Sequence, residues 1–130
     1  MKLEGIHHIT AITGDAPQNV EFYAGVLGLR LVKLTVNFDD PTSYHLYYGD
    51  EIGRPGSILT FFAWAGAYRG RQGTALVGAA SLSVPAASIS HWKQRLAERG
   101  IAFDECPRRM GEEVIGLADP DGMRLELIGA

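Results

Sequence analysis

The chain carries one pattern of apolar residues twice, and this repeat limits the folds that it can adopt. In the first half, a strand-like alternation precedes a helical pattern that Asp15 can cap and Gly28 can end. Three more strand-like segments follow, so the predicted order is one strand, one helix and three strands. The predicted strands of this half are residues 6–13, 29–36, 44–48 and 57–62.

The second half predicts the same order. Its helical stripe consists of Ile89, Trp92 and Leu96 and ends at Gly100. Its predicted strands are residues 80–84, 101–103, 114–117 and 123–128. The repeat therefore divides the chain into two units of about 55 residues, joined by a glycine-rich linker. We place the units at residues 5–64 and 77–129 and the linker at 65–76, within a single domain over residues 1–130.

This order predicts an α+β fold made of two βαβββ units. A single helix can cover only one face of a four-stranded mixed sheet. The uncovered faces of the two curved sheets are therefore expected to form a cleft, which is a common place for a small-molecule site.

Composition argues against several classes of partner. The net charge of −3 does not favour nucleic acid or an anionic membrane surface. The N-terminal residues lack the pattern of a secretion signal, and no apolar run reaches the length that spans a membrane. The single cysteine, Cys106, cannot form an internal disulfide, which is typical of a reducing compartment. We therefore expect a cytoplasmic protein that binds neither nucleic acid nor membrane.

Three segments carry a resemblance to a known family: "GIHHITAITGD", "YHLYYGDEIGRPGSILTFF" and the closing "LADPDGMRLELI". With the repeat, they make the chain resemble the vicinal oxygen chelate superfamily of glyoxalases, bleomycin-resistance proteins and extradiol dioxygenases. The first two segments are most similar to the N-terminal part of ring-cleaving dioxygenases of the hydroquinone type. The resemblance implies the vicinal oxygen chelate fold, in which two βαβββ units form a cleft.

The resemblance also implies where a metal would be held. In that superfamily the ligands lie on the first and last strands of the units, and His8 and Glu126 match two such positions. Glu126 is unusual in its own right, because a carboxylate between Leu125 and Leu127 is costly unless it is paired or bound to a metal. One imidazole and one carboxylate are part of the facial triad that holds Fe(II), or another divalent metal. The alternatives are an ion pair of Glu126 with Arg124 or a facing arginine, and a metal-free His8 that lines the cleft.

A third ligand is not evident within the chain. Internal alignment brings residues 78–80, which are Gly, Ala and Ala, and Thr60 to the remaining ligand positions, and none of these binds iron well. In the long members of the resembling family, the resemblance implies, the histidine of the first unit combines with ligands from later units. Under that interpretation Glu126 need not be a ligand.

Other residues are candidates for contact with a substrate. His45 alternates with Tyr47, so both side chains are predicted to face the cleft and to hydrogen-bond a substrate, although a neighbour could also satisfy His45. His7 is predicted to point away from His8, and the resemblance allows it a proton-transfer role. His91 is expected to be a solvated helix residue. The segment 108–113, "RRMGEE", is expected to be a solvated loop.

The functional hypothesis is a ring-cleaving dioxygenase-like protein that acts on a small dihydroxy-aromatic molecule with Fe(II). Two alternatives use the same cleft: a glyoxalase-like lyase, and a metal-free protein that sequesters an aromatic ligand or antibiotic, as bleomycin-resistance proteins do. A two-unit chain can also assemble as a homodimer in which units of different copies complete each site.

Overall fold

The computed structural model describes residues 2–130 and contains two four-stranded sheets, one in each half of the chain. The chain separates into two compact units, with the boundary between Arg69 and Gly70. Each unit has one strand, one helical segment and three further strands. The predicted α+β fold of two βαβββ units is therefore confirmed. The described helices lack the length and apolar composition that crossing a membrane requires.

The first unit is a mixed sheet with a helical segment between its first two strands. Strand β1 is parallel to β4, and β4, β3 and β2 follow in antiparallel order. Helix α1 continues directly into a π-helical segment at Glu21–Val26. The bounds are β1 His8–Thr13, α1 Ala16–Val20, β2 Arg30–Val36, β3 Tyr44–Gly49 and β4 Ile58–Ala63.

The ends of the first helical segment follow the predicted signals, whereas its interior does not. The Asp15 carboxylate accepts the backbone N–H of Gln18 at 2.9 Å, as an N-cap should. Gly28 ends the segment with a φ of +72°, which glycine adopts without the strain of a Cβ. Between them, the backbone N–H of Leu27 donates to the carbonyl of Phe22 at 3.0 Å, the wider spacing of a π-helix. An apolar pattern with the 3.6-residue period of an α-helix does not indicate the additional residue that a π-helical turn contains.

The core of the first unit lies between its helical segment and one face of its sheet. The rings of Tyr23, Tyr48 and Phe61 pack there with no exposed surface. The Tyr23 centroid lies 4.6 Å from that of Phe61 and 5.2 Å from that of Tyr48. The Tyr48 hydroxyl donates to Oδ1 of Asn19 at 2.7 Å, which satisfies a polar group that would otherwise be costly to bury.

The second unit repeats the arrangement, with β5 parallel to β8, followed by β7 and β6 in antiparallel order. A 3₁₀ turn at Ala86–Ser88 leads into helix α2. Ile89 and Leu96 of the predicted stripe are buried, together with the sheet residues Ile115, Leu125 and Leu127. The bounds are β5 Ala80–Val84, α2 Ile89–Glu98, β6 Phe103–Arg109, β7 Glu112–Ala118 and β8 Arg124–Gly129.

The prediction of a solvated loop at residues 108–113 is wrong, because this segment is a tight hairpin between β6 and β7. Arg109 pairs with Glu112, and Met110 and Gly111 form a two-residue turn with φ values of +52° and +89°. Positive φ at both turn residues is typical of the type I′ turn that matches the twist of paired strands. Pro107 concealed the strand in the sequence. It is tolerated because β6 is an edge strand that is bulged between Cys106 and Arg109.

Candidate functional site

Each sheet has one face against its own helix and an opposite face, here called its open face, that carries the predicted site residues. In the first unit, Tyr47 pairs with Thr60 and His45 pairs with Phe62. Alternation along β1 and β4 places His8 on this same face. Aromatic and imidazole side chains therefore share the first open face, as the alternation of His45 and Tyr47 predicted.

His45 is held between two rings on the first open face. Its Nδ1 lies 3.0 Å from the hydroxyl of Tyr47, and its ring centroid lies 4.2 Å from those of Tyr47 and Phe62. Its Nε2 is buried and has no hydrogen-bond partner among residues 2–130. A buried polar atom without a partner is uncommon, and a catalytic role or a bound group is one explanation for it.

Burial lowers the pKa of the His45 imidazole, and the positive charges of Lys33 and His8 lower it further. The ring is therefore neutral at neutral pH. If the Tyr47 hydroxyl donates to Nδ1, then Nε2 carries the proton and donates. If Nδ1 donates to Tyr47 instead, Nε2 accepts. In both tautomers Nε2 can hydrogen-bond a ligand hydroxyl.

His7 and His8 lie together at the start of β1. The strand begins at His8 rather than at Ile6, so the predicted alternation does not extend to His7. The two Nδ1 atoms are 3.0 Å apart, and the exposed rings meet edge to face with centroids 5.2 Å apart. This contact uses one nitrogen of each ring. It leaves Nε2 of His8 accessible as a ligand for a metal.

Glu126 lies on the open face of the second sheet, in register with Ser81 on β5. Arg109 donates to both of its carboxylate oxygens, with Nη1 2.7 Å from Oε2 and Nη2 2.9 Å from Oε1. The Ser81 hydroxyl donates to Oε2 at 2.7 Å. The Glu126 side chain is only 17% exposed, and the Arg109 side chain is 53% exposed. The structure therefore contains the predicted ion pair of Glu126 with a facing arginine. The partner is Arg109 rather than Arg124.

The two predicted metal ligands differ in how well they fit that role. His8 offers an exposed imidazole, which suits a divalent transition metal. Both oxygens of Glu126 are already hydrogen-bonded, so this carboxylate as arranged does not fit a metal unless Arg109 is displaced. Within residues 2–130 no group of three or more His, Cys, Asp or Glu side chains is placed to hold a metal ion.

The two units use equivalent register positions for a hydrogen-bonded pair. In the first unit, the Thr60 hydroxyl donates to that of Thr10 at 2.8 Å, across β4 and β1. In the second unit, Ser81 and Glu126 occupy the same positions on β5 and β8. Ser81 was not predicted, although the internal repeat could have indicated it, because it aligns with Thr10. No sequence signal indicated Arg109, which reaches Glu126 after the bulge in β6.

Residues 5–127 match the Glyoxalase/Bleomycin resistance protein/Dioxygenase superfamily. The "Putative ring-cleaving dioxygenase MhqO" of Bacillus subtilis is 51% identical over 98% of this chain and 40% of its own length. A chlorohydroquinone/hydroquinone 1,2-dioxygenase of Sphingobium indicum is 37% identical over 98% of this chain and 40% of its own. The crystal structure of a "putative dioxygenase" from Bacillus subtilis, 51% identical, superimposes with a TM-score of 0.92 over 97% of this chain and 40% of that one.

The chain therefore belongs to the glyoxalase/bleomycin resistance/dioxygenase superfamily, as its resemblance implied. Within that superfamily it is similar over nearly all of its length to the "Putative ring-cleaving dioxygenase MhqO" and to a chlorohydroquinone/hydroquinone 1,2-dioxygenase. It spans about 40% of the length of these relatives.

The Glu126 pair predicts a specific pH dependence of stability. The hydrogen bond from Arg109, followed by that from Ser81, lowers the pKa of Glu126 from its ordinary value of 4.5. A depressed native pKa stabilises the fold above the unfolded-state pKa, and this contribution is lost as pH falls through the native value. We expect the difference in unfolding free energy between the native protein and Glu126→Gln to shrink on going from about pH 7 to about pH 3. Urea denaturation at several pH values measures it, and a constant difference would contradict the assigned pair.

Proposed function

We propose that this chain contributes to a ring-cleaving dioxygenase, with His8 as a ligand of Fe(II) and the first open face as the binding surface for a dihydroxy-aromatic substrate. The observation that carries the proposal is the buried, unpartnered Nε2 of His45, beside the rings of Tyr47 and Phe62. The similarity to the "Putative ring-cleaving dioxygenase MhqO" and to a chlorohydroquinone/hydroquinone 1,2-dioxygenase supports it independently.

The side chains of the first open face suit a flat phenolic molecule. Tyr47 and Phe62 offer aromatic surface on which a ring can stack. The Nε2 of neutral His45 can hydrogen-bond one substrate hydroxyl, and it can accept the proton of that hydroxyl in the tautomer whose Nδ1 donates to Tyr47. Lys33, with its ammonium 5.3 Å from the centroid of Tyr47, favours the negative charge of a deprotonated substrate.

His8 would be the residue of the first unit that holds the metal. Bound Fe(II) supplies Lewis acidity toward the substrate oxygens and a site for dioxygen. The remaining ligands would come from outside the first unit: from the further units of a longer protein, from a second copy in a homodimer, or from Glu126 if the metal displaces Arg109. Of these three, the ion pair of Glu126 makes the last the least favourable.

Equilibrium dialysis with Fe(II) under anaerobic conditions tests the role of His8. We expect His8→Ala to weaken iron binding by more than the roughly 10–100-fold that loss of an outer-shell partner costs. His91→Ala is the matched control, because His91 is exposed on α2 and contacts only Trp92 among the described rings. Glu126→Gln identifies the source of the remaining ligands: unchanged iron binding would exclude Glu126, and weaker binding would assign it. Iron binding by the native protein that is equally tight in His8→Ala would refute the metal site.

A metal-free protein that binds aromatic molecules is the second candidate function. The observation that favours it is the commitment of both Glu126 oxygens to Arg109 and Ser81. Calorimetric titration with hydroquinone in the presence of a chelator distinguishes the two functions. Binding that persists without metal and is lost in His45→Phe would support this candidate, whereas iron-dependent oxygen uptake with hydroquinone would support the dioxygenase.

A further inference from the structure

The second unit contains a cavity that the proposed dioxygenase chemistry does not use. It is an open depression of the surface with a volume of about 540 Å³. Arg109, Arg124, Glu126 and Ser81 line it, and we call it the arginine cavity. A second cavity of about 410 Å³ shares Arg124 and Gln72 with it.

The arginine cavity offers more hydrogen-bond donors than acceptors. Each oxygen of Glu126 already accepts from Arg109, and Oε2 also accepts from Ser81. Arg109 uses one N–H of each terminal nitrogen for Glu126, so its guanidinium retains further donors. The charges of Arg109 and Glu126 offset each other, which leaves Arg124 as the source of net positive charge in the cavity.

Arg124 is available to a ligand. Its side chain lies on the exposed start of β8, and no hydrogen bond or ion pair joins it to another residue in the described part of the chain. It interacts with Glu126 only through longer-range attraction. A guanidinium with a free planar fork matches the two oxygens of a carboxylate, with which it forms two parallel hydrogen bonds.

We propose that the arginine cavity binds the carboxylate of a small hydroxylated organic acid, with Arg124 as the anchoring cation and Arg109 as a second donor held in place by Glu126. The adjoining cavity accommodates the rest of the acid. Asp104 lines that cavity and can accept a hydrogen bond from a ligand hydroxyl. Gly116 lines the same cavity and packs closely against Cys106, since a Cβ there would come within 2.9 Å of the Cys106 sulfur.

This inference goes beyond the proposed function and does not depend on it. No metal takes part, and every residue involved belongs to the second unit. The structure thereby assigns a binding role to Glu126 that differs from metal ligation: it positions Arg109 rather than contacting a ligand itself.

Titration of the full chain with 4-hydroxybenzoate, followed by NMR of the backbone amides, tests the site. We expect saturable shifts at residues 81 and 124, and no comparable binding of the neutral analogue 4-hydroxybenzamide. Arg124→Gln should weaken binding of the acid at least about tenfold, as expected when a charged hydrogen-bonding partner is lost. Arg99→Gln is the matched control, because Arg99 is an exposed arginine at the end of α2 that does not line either cavity.

Arg109→Lys provides a second variant, which keeps the charge but loses the fork that holds Glu126 and should also weaken binding of the acid. The proposal is overturned if the amide binds as well as the acid, or if Arg124→Gln and Arg109→Lys both bind the acid as the native protein does. Equal affinity for inorganic phosphate at the same residues would overturn the assignment to an organic acid. Loss of iron binding in His8→Ala leaves these results unchanged, so the two proposals can fail separately.

Discussion

Replacing Phe61 with alanine is expected to lower the free energy of unfolding by about 3–5 kcal/mol, the usual cost of truncating a buried phenylalanine. Phe61 has no exposed surface and packs between the rings of Tyr23 and Tyr48, with centroids 4.6 Å and 6.0 Å away. It belongs to the central pair of strands, where β4 is bonded on both sides. The surrounding rings are rigid, so the vacated space cannot close without loss of packing.

Urea denaturation followed by circular dichroism measures this loss. Phe38→Ala is the matched control, because the same atoms are removed from a side chain that is 95% exposed. Its effect should stay within about 0.5 kcal/mol. A loss below about 1 kcal/mol for Phe61→Ala would mean that the aromatic cluster does not form the core of the first unit.

Replacing Tyr48 with phenylalanine is expected to lower the free energy of unfolding by about 1–3 kcal/mol, although it removes a single oxygen atom. The Tyr48 hydroxyl is the donor to Oδ1 of Asn19, and both residues are almost completely buried. Burial raises the pKa of this hydroxyl well above its ordinary value, so it is protonated and can donate at neutral pH. The variant leaves the Asn19 oxygen desolvated and without its partner.

A double-mutant cycle isolates the interaction. Asn19→Leu combined with Tyr48→Phe should cost less than the sum of the two single changes, because removing both partners leaves no polar group unsatisfied. Asn19→Leu also removes Nδ2 of Asn19, which is itself buried without a partner within residues 2–130. The double variant should therefore be destabilised even less. Tyr44→Phe, on the same strand but 55% exposed, is the control and should have little effect. Additive changes in the cycle would contradict the assigned hydrogen bond.

The order of the elements and the ends of the first helical segment could be read from the amino-acid sequence because the signals for them are local. Asp15 and Gly28 bound the first helical segment in the structure as predicted, since capping depends on residues within one turn. The strands of both units occur where alternation indicated them, apart from shifts at their ends and apart from β6, which spans Phe103–Arg109 rather than residues 101–103. The π-helical segment was not predicted, because nothing in a helical period indicates one additional residue.

The candidate site was predicted in part, where the signals for it are also local. His45 and Tyr47 share a face because they are two residues apart on one strand, and alternation suffices to establish that. The contact of His7 with His8 was not predicted, because the strand begins one residue after His7. For Glu126 the sequence predicts Arg124 or a facing arginine as the partner, and the structure has Arg109. The sequence predicts a loop where the structure has the hairpin that brings Arg109 to Glu126.

The sequence by itself determined that two similar units form, the order of the elements within each unit, and which side chains share a strand face. These properties depend on periodicity and on capping, which act between neighbours along the chain. Only the tertiary structure decided that Glu126 is bound by Arg109 and that Nε2 of His45 is left without a partner. Both depend on strand register, and a single bulge shifts register by one residue and changes which side chains meet.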